Sequence, residues 1–205
     1  MSGDDRPNVG ADNAGIGDPR SRLRRRDRGK DEAWVRAFVG EAAYGFLATV
    51  GEQGQPFLNS NLFVYDRRRH CLYTHTHRTG RTRDNLKEPR KVAFGIARMG
   101  RLLPAPEALE FSVEYAGVTI FGTGRVIDDP GEAREALQLL LDKYAPHLRP
   151  HRDYRATTDE ELARTAVYRI DIETWSGKQK SAEPHFPGAF ELPELTIPFE
   201  PGSDP

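Results

Sequence analysis

The stretch Thr76-His77-Arg78-Thr79-Gly80-Arg81-Thr82-Arg83-Asp84-Asn85 sets three guanidinium groups among three hydroxyls. It follows a strand pattern in which Leu72 and Thr74 alternate with Tyr73 and His75, and Thr79-Gly80 marks the change from strand to a short cationic helix. Backbone N–H groups at such a junction lack intrahelical partners, and arginines beside them suit a phosphate. On residue types alone the same stretch also reads as a solvated basic turn.

Other residues near it bear on chemistry. Asn59-Ser60-Asn61 lies between Phe57-Leu58 and Leu62-Phe63, and is poor strand material unless something polar partners it. His70, His75 and His77 are close in sequence, but a strand puts His70 on the opposite face from the other two. No cysteine or carboxylate completes the spacing of a metal site, so no metal is expected. Cys71 is the only cysteine, which rules out an internal disulfide and suits a reducing compartment; on an apolar strand it reads as a buried structural thiol. Neither a nucleophile elbow nor a phosphate loop of the Gly-x-x-x-x-Gly-Lys type occurs.

The elements that must position these residues are legible in order. Asp31 caps a helix with Trp34, Val35, Phe38, Val39 and Ala42 on one stripe. Tyr44–Val50 and Pro56–Tyr65 flank a loop with Gly51 and Gly54, and Asp66-Arg67-Arg68-Arg69 turns into the strand that carries His75, giving an antiparallel meander. Lys91–Ala97 reads as a strand, and Met99–Glu110, with Pro104 and Pro106, as a long loop. Phe111–Ile127 reads as one strand bent at Gly122 and Gly124. Pro130 opens the strongest helix, with Ala133, Ala136, Leu137, Leu140, Leu141 and Tyr144 at helical spacing, and Thr158-Asp-Glu-Glu161 has the capping-box spacing. A last strand alternates from Thr165 to Trp175. Six to seven strands with mainly short connections predict an antiparallel β-barrel with flanking helices, a mainly β fold with some α.

Apolar residues make up 37% of the chain, and the deficit lies at its ends. Residues 1–29 form an arginine-rich arm expected to be disordered, residues 30–180 the folded domain, and residues 181–205 a proline-rich tail. A net charge of −1 excludes a global field that recruits nucleic acid, and the six arginines from Arg20 to Arg28 lack interleaved aromatics. No apolar run reaches the length of a membrane span and no signal-peptide core appears, so the expected location is the cytoplasm.

The succession Gly45-Phe-Leu-Ala-Thr49, Pro56-Phe-Leu-Asn-Ser60, Leu72-Tyr-Thr-His75, Gly80-Arg81 and Asn85-Leu86 resembles the pyridoxamine 5′-phosphate oxidase-like, FMN-binding split-barrel superfamily over about residues 22–180. The Tyr-x-His strand, the arginines before the first helix and Thr174-Trp-Ser-Gly-Lys178 look closest to its nitroimidazole-resistance branch. The resemblance implies a homodimer with FMN in grooves between the subunits. Asn59, Ser60, Asn61 and Leu62 would lie along the flavin ring, and Thr76, Arg81 and Asn85 would hold its phosphate. His75 would stand beside the substrate as the catalytic-site side chain, and Trp175 with Lys178 would reach the partner's flavin. On physical grounds Trp175 equally reads as interface core.

The activity implied is an FMN-dependent oxidoreductase passing hydride or electrons to a small nitro compound, quinone or second flavin. The arginine and histidine pair of the oxidase branch is not reproduced after Trp175, where His185 stands alone, so vitamin B6 oxidation is not expected. The alternative is a non-catalytic binding protein for FMN, a deazaflavin or haem, the last through His75 or His77. A nucleic-acid partner on the arginine arm is the weakest reading.

Overall fold

The computed structural model describes residues 18–192. Eight strands and four α-helices follow in the order β1 (Gly29–Lys30), α1 (Glu32–Glu41), β2 (Gly45–Val50), β3 (Pro56–Asn61), β4 (Phe63–Asp66), β5 (Cys71–His77), α2 (Arg81–Asn85), β6 (Arg90–Leu103), β7 (Ser112–Val126), α3 (Pro130–Tyr144), α4 (Asp159–Ala163) and β8 (Thr165–Lys180). The strands form one sheet in the order β3-β2-β6-β7-β8-β5-β4, and β1 pairs with β8. All of these pairings are antiparallel. The two end strands, β3 and β4, are consecutive in the chain and separated only by Leu62, so the sheet has to wrap around to satisfy both. That makes a split barrel with flanking helices.

The capping signals act as their spacing predicts. The Asp31 side chain accepts from the Trp34 N–H at 2.8 Å, and Thr158 and Glu161 form a reciprocal capping box. Leu47, Phe63, Leu72, Phe94, Ile120 and Tyr168 fill the barrel, where Val35, Phe38 and Val39 of α1 join them. Ala133, Ala136 and Leu140 of α3 pack on the outer face of the sheet against Val64, Tyr73 and Val167. The bend expected in β7 falls where the β7–β8 register shifts, between Phe121 and Gly122. A side chain at Gly122 would collide with the Asp171 carbonyl oxygen, so the strands approach there only because glycine has no Cβ.

Three expectations change. The second strand of the meander is not continuous: β3 pairs with β2 and β4 with β5, although neither glycine nor proline marks the break. The long loop expected over 99–110 is shortened: β6 runs on to Leu103 past a register irregularity between Met99 and Leu102, Arg101 pairs with Glu114 across to β7 at 2.9 Å, and residues 104–111 remain as the connection. Residues 18–29, expected within a disordered arm, lie against the barrel. Arg20 binds Glu173 at 2.9 Å, the Arg28 guanidinium donates to the Tyr115 hydroxyl at 2.8 Å, and Gly29 pairs with Lys178. The arm's residues 1–17 and the tail's residues 193–205 lie outside the described residues. The nearer part of the tail returns to the sheet, with Leu102 and Phe190 exchanging backbone hydrogen bonds at 2.7 and 3.1 Å.

Candidate functional site

The cationic corner forms where β5 ends. Thr79 turns back on His77, its hydroxyl 3.0 Å from the imidazole Nδ1, and Gly80 takes a φ of 135° that few side-chain-bearing residues adopt. Helix α2 starts there without a side-chain cap. Its inward face carries Thr82, Asn85 and Leu86, all buried, while Arg81 faces outward.

Three contacts join α2 to β2 and β3. Asn59 Nδ2 donates to Thr82 Oγ1 at 3.3 Å, the Arg81 guanidinium lies 5.1 Å from the centre of the Phe57 ring, and Asn85 Nδ2 donates to Thr49 Oγ1 at 2.8 Å. Strand alternation places Phe57, Asn59 and Asn61 on one face of β3, the face turned to α2. Asn61 is buried on that face, and its Nδ2 has no hydrogen-bond partner. A buried amide left without an acceptor costs about 1–3 kcal/mol, so a polar ligand offering a carbonyl oxygen fits it. Ser60 is exposed on the opposite face, and Leu62 is exposed where β3 gives way to β4.

Leu62 and His75 open onto a groove of about 400 Å³ between β5, α3 and α4, with Leu137, Leu140, Leu141 and Tyr144 as its apolar wall. His75 is exposed at the rim yet crowded by that wall, and burial holds its pKa below the usual value, leaving the imidazole neutral at neutral pH. It makes no hydrogen bond among the described residues. Thr76 faces the other way, with its hydroxyl 2.7 Å from the Tyr168 hydroxyl and donating to the His77 carbonyl at 2.9 Å. The three clustered histidines therefore diverge: His77 to Thr79, His75 to the groove, and His70 to the Tyr65 hydroxyl at 3.0 Å.

Arg78, Arg81 and Arg83 have no carboxylate partner among the described residues, whereas many of the other arginines, Arg36, Arg69, Arg101, Arg134 and Arg169 among them, are ion-paired. One end of this surface therefore holds uncompensated positive charge and the other an unsatisfied amide. The expected ring-side residues and the expected phosphate corner come together, with two changes of role. Asn85 is turned inward as a staple between α2 and β2, and Thr76 is spent on Tyr168.

This architecture has known counterparts. A family model described as pyridoxamine 5′-phosphate oxidase matches residues 31–179. The chain belongs to that family. Similar solved structures include the flavocytochrome Anf3 from Azotobacter vinelandii, 21% identical with a TM-score of 0.71, over 89% of this chain and 88% of that one. The FAD and haem binding protein from Mycobacterium smegmatis is 23% identical with a TM-score of 0.67, over 76% and 74%. A putative 5-nitroimidazole antibiotic resistance protein from Bacteroides thetaiotaomicron is 18% identical with a TM-score of 0.60, over 73% and 84%. At these identities the likeness is one of fold. No curated protein matches the sequence.

Trp175 and Lys178, which the family resemblance places at a flavin, stand apart from these residues within the subunit. Trp175 is buried under α1, with His70 4.7 Å and Tyr65 5.6 Å from its ring and the Arg36 guanidinium over it at 5.3 Å. The inward alternation of β8 puts it in the subunit's own core, a place given by neither of its expected roles, at a partner's flavin or in interface core. The Lys178 amine lies 5.4 Å from the Tyr115 ring. The sequence reading counted Thr82 only among the hydroxyls of the corner and missed its inward contact with Asn59, and it missed Tyr168 and the groove wall from α3. The Thr82/Asn85 spacing of three on a helix was the available signal for the first. Nothing local points to the others, because their partners are more than sixty residues away.

Proposed function

We propose that this family member binds a flavin through the FMN moiety, which FMN and FAD share, and passes electrons or hydride between the reduced flavin and a small acceptor such as a nitro compound, a quinone or a second flavin. The observation that carries this is the unpartnered, buried Asn61 amide on the same β3–α2 surface as the uncompensated Arg78, Arg81 and Arg83. Asn61 would donate to a carbonyl oxygen of the flavin ring, with Ser60 and Leu62 along it. The arginines would take the phosphate, and Thr82 and Asn85 would hold α2 in position for them. The bound flavin would supply the redox chemistry, so no side chain need act as acid or base. Neutral His75 at the groove rim would donate a hydrogen bond to the acceptor, and the leucines of α3 would keep water from it.

A second copy of the chain would close the groove. Phe46, Val50 and Leu58 share the outward face of β2–β3 and are exposed, Leu58 at 61%, beside the polar segment that meets the ring. Such a stripe fits a homodimer interface. The buried lone thiol of Cys71 fits a reducing cytoplasm, and among the described residues no helix is long and apolar enough to cross a membrane.

The test is the visible spectrum of purified protein and a titration with FMN. Absorbance near ~450 nm, or tight FMN binding lost in Arg81→Glu, is expected. Absence of flavin binding by the wild-type chain would end this reading. One observation favours an additional haem: His75 has no hydrogen-bond partner and faces an apolar groove, as an axial ligand would, and two of the similar structures are of a flavocytochrome and of a FAD and haem binding protein. A Soret band lost in His75→Ala with flavin retained would establish it, and a wild-type protein that takes up no haem would exclude it.

A further inference from the structure

The cationic corner borders two adjoining spaces. The smaller, about 130 Å³, is lined chiefly by polar atoms, with Arg78, Arg83, Asp128 and Thr165 around it. The larger, about 540 Å³, lies between α3, α4 and the start of β8, and shares Arg78, Ile127, Asp128 and Thr165 with the smaller. Much of its remaining wall is apolar, from Pro130, Ala133, Leu162 and Val167. The Arg78 N–H donates to the Arg164 carbonyl at 2.9 Å, which fastens the corner to the end of α4.

Charge is divided unevenly between the two spaces. Arg134 and Asp159 border the larger one but neutralise one another in an ion pair. Arg78, Arg83 and Asp128 border the smaller one and form no ion pair with each other or with any other described residue, although their charges are opposite. The Thr165 hydroxyl donates to the Glu161 carbonyl at 2.8 Å, so its oxygen is left to accept. A simple anion would satisfy the guanidinium groups and be repelled by Asp128, and a simple cation would meet the reverse. A ligand that carries both charges on one small head group answers all three side chains, and an apolar body attached to that head would fill the larger space.

We infer that the two spaces together form a site for a free α-amino acid with a large apolar side chain. Its carboxylate meets Arg78 and Arg83, its ammonium donates to Asp128 and to the Thr165 oxygen, and its side chain lies against Ile127, Ala133 and Leu162. Arg81 borders neither space and is left for the flavin phosphate proposed above, on which this inference does not rest.

The full chain is titrated by calorimetry with L-leucine and L-phenylalanine, and with three probes that each lack one feature. Glycine has no side chain, N-acetyl-L-leucine no ammonium and L-leucinamide no carboxylate. Leucine and phenylalanine are expected to bind, and each probe to bind about tenfold or more weakly, because each loses a charge-assisted contact or the apolar wall. Two variants of exposed residues that border the larger space complete the test. Asp128→Asn is expected to bind leucine about tenfold more weakly and N-acetyl-L-leucine no more weakly than wild type does. Ala163→Trp, which fills the larger space, is expected to abolish phenylalanine binding. Both variants melt with wild type, which reports that they are folded. A wild type that binds neither amino acid at millimolar concentration would overturn the site. So would N-acetyl-L-leucine binding as tightly as leucine, or Asp128→Asn keeping wild-type affinity. No flavin takes part, so the flavin reading stands or falls by its own test.

Discussion

Replacing Asn85 by leucine separates two roles that the residue could play. The Asn85 amide donates to Thr49 Oγ1 at 2.8 Å, and the two residues are only 7% and 1% exposed, so water cannot replace the partner that is removed. The Thr49 hydroxyl is then left buried without its hydrogen bond, at a cost of roughly 1–3 kcal/mol. For a domain of this size ~2 kcal/mol lowers the melting temperature by roughly 4–8 °C, and helix α2 loses its tie to β2. Adding Thr49→Val removes the orphaned hydroxyl while keeping its shape, so the double variant should recover most of the loss. Flavin titration beside thermal melting completes the assay. If Asn85 acts by positioning α2, affinity falls in the single variant and returns in the double. A double variant that regains stability but still binds flavin poorly would make Asn85 a direct phosphate ligand. A single variant melting within about 1 °C of wild type would refute the staple argument itself.

Two further outcomes follow from the barrel. Gly122→Ala puts a methyl group onto the Asp171 carbonyl oxygen at the β7–β8 irregularity, and since backbone cannot swing aside as a side chain can, a loss of about 2 kcal/mol or more is expected in urea unfolding, with an unchanged midpoint counting against it. Glu173, held by Lys91, Thr123 and Arg20, has its pKa lowered to about 2 from 4.5. A depressed carboxylate stabilises the fold above pH 4.5, and that contribution disappears as pH falls towards 2, so Glu173→Gln should flatten the acid limb of a stability–pH curve in that window. An unaltered acid limb would remove Glu173 as its source.

Legibility followed the range of the interaction responsible. Asp31, the Thr158/Glu161 box and Pro130 act within one helical turn, and their elements begin where the sequence puts them. The arginines and threonines of 76–83 lie in one continuous run, so a strand ending in a cationic corner was readable too. The break at Leu62 was not, because it follows from which neighbour each half of the strand pairs with, β2 before it and β5 after it. The extended parts of β6 and β7 are joined by the cross-strand Arg101–Glu114 pair, thirteen residues apart, which no local propensity reports.

The sequence by itself determined the barrel class, the order of elements and the stretches that could meet an anion or a ring, since these rest on alternation, helical spacing and capping, while the family came from a resemblance of short motifs in their order. Only the tertiary structure decided what each candidate side chain does there. It spent Thr76 on Tyr168, turned Asn85 towards Thr49, buried Trp175 under α1, and left the Asn61 Nδ2 without a hydrogen bond and the three arginines without a carboxylate among the described residues. Whether a polar group is free to bind depends on which distant residues have already satisfied it, and that is settled when the barrel closes.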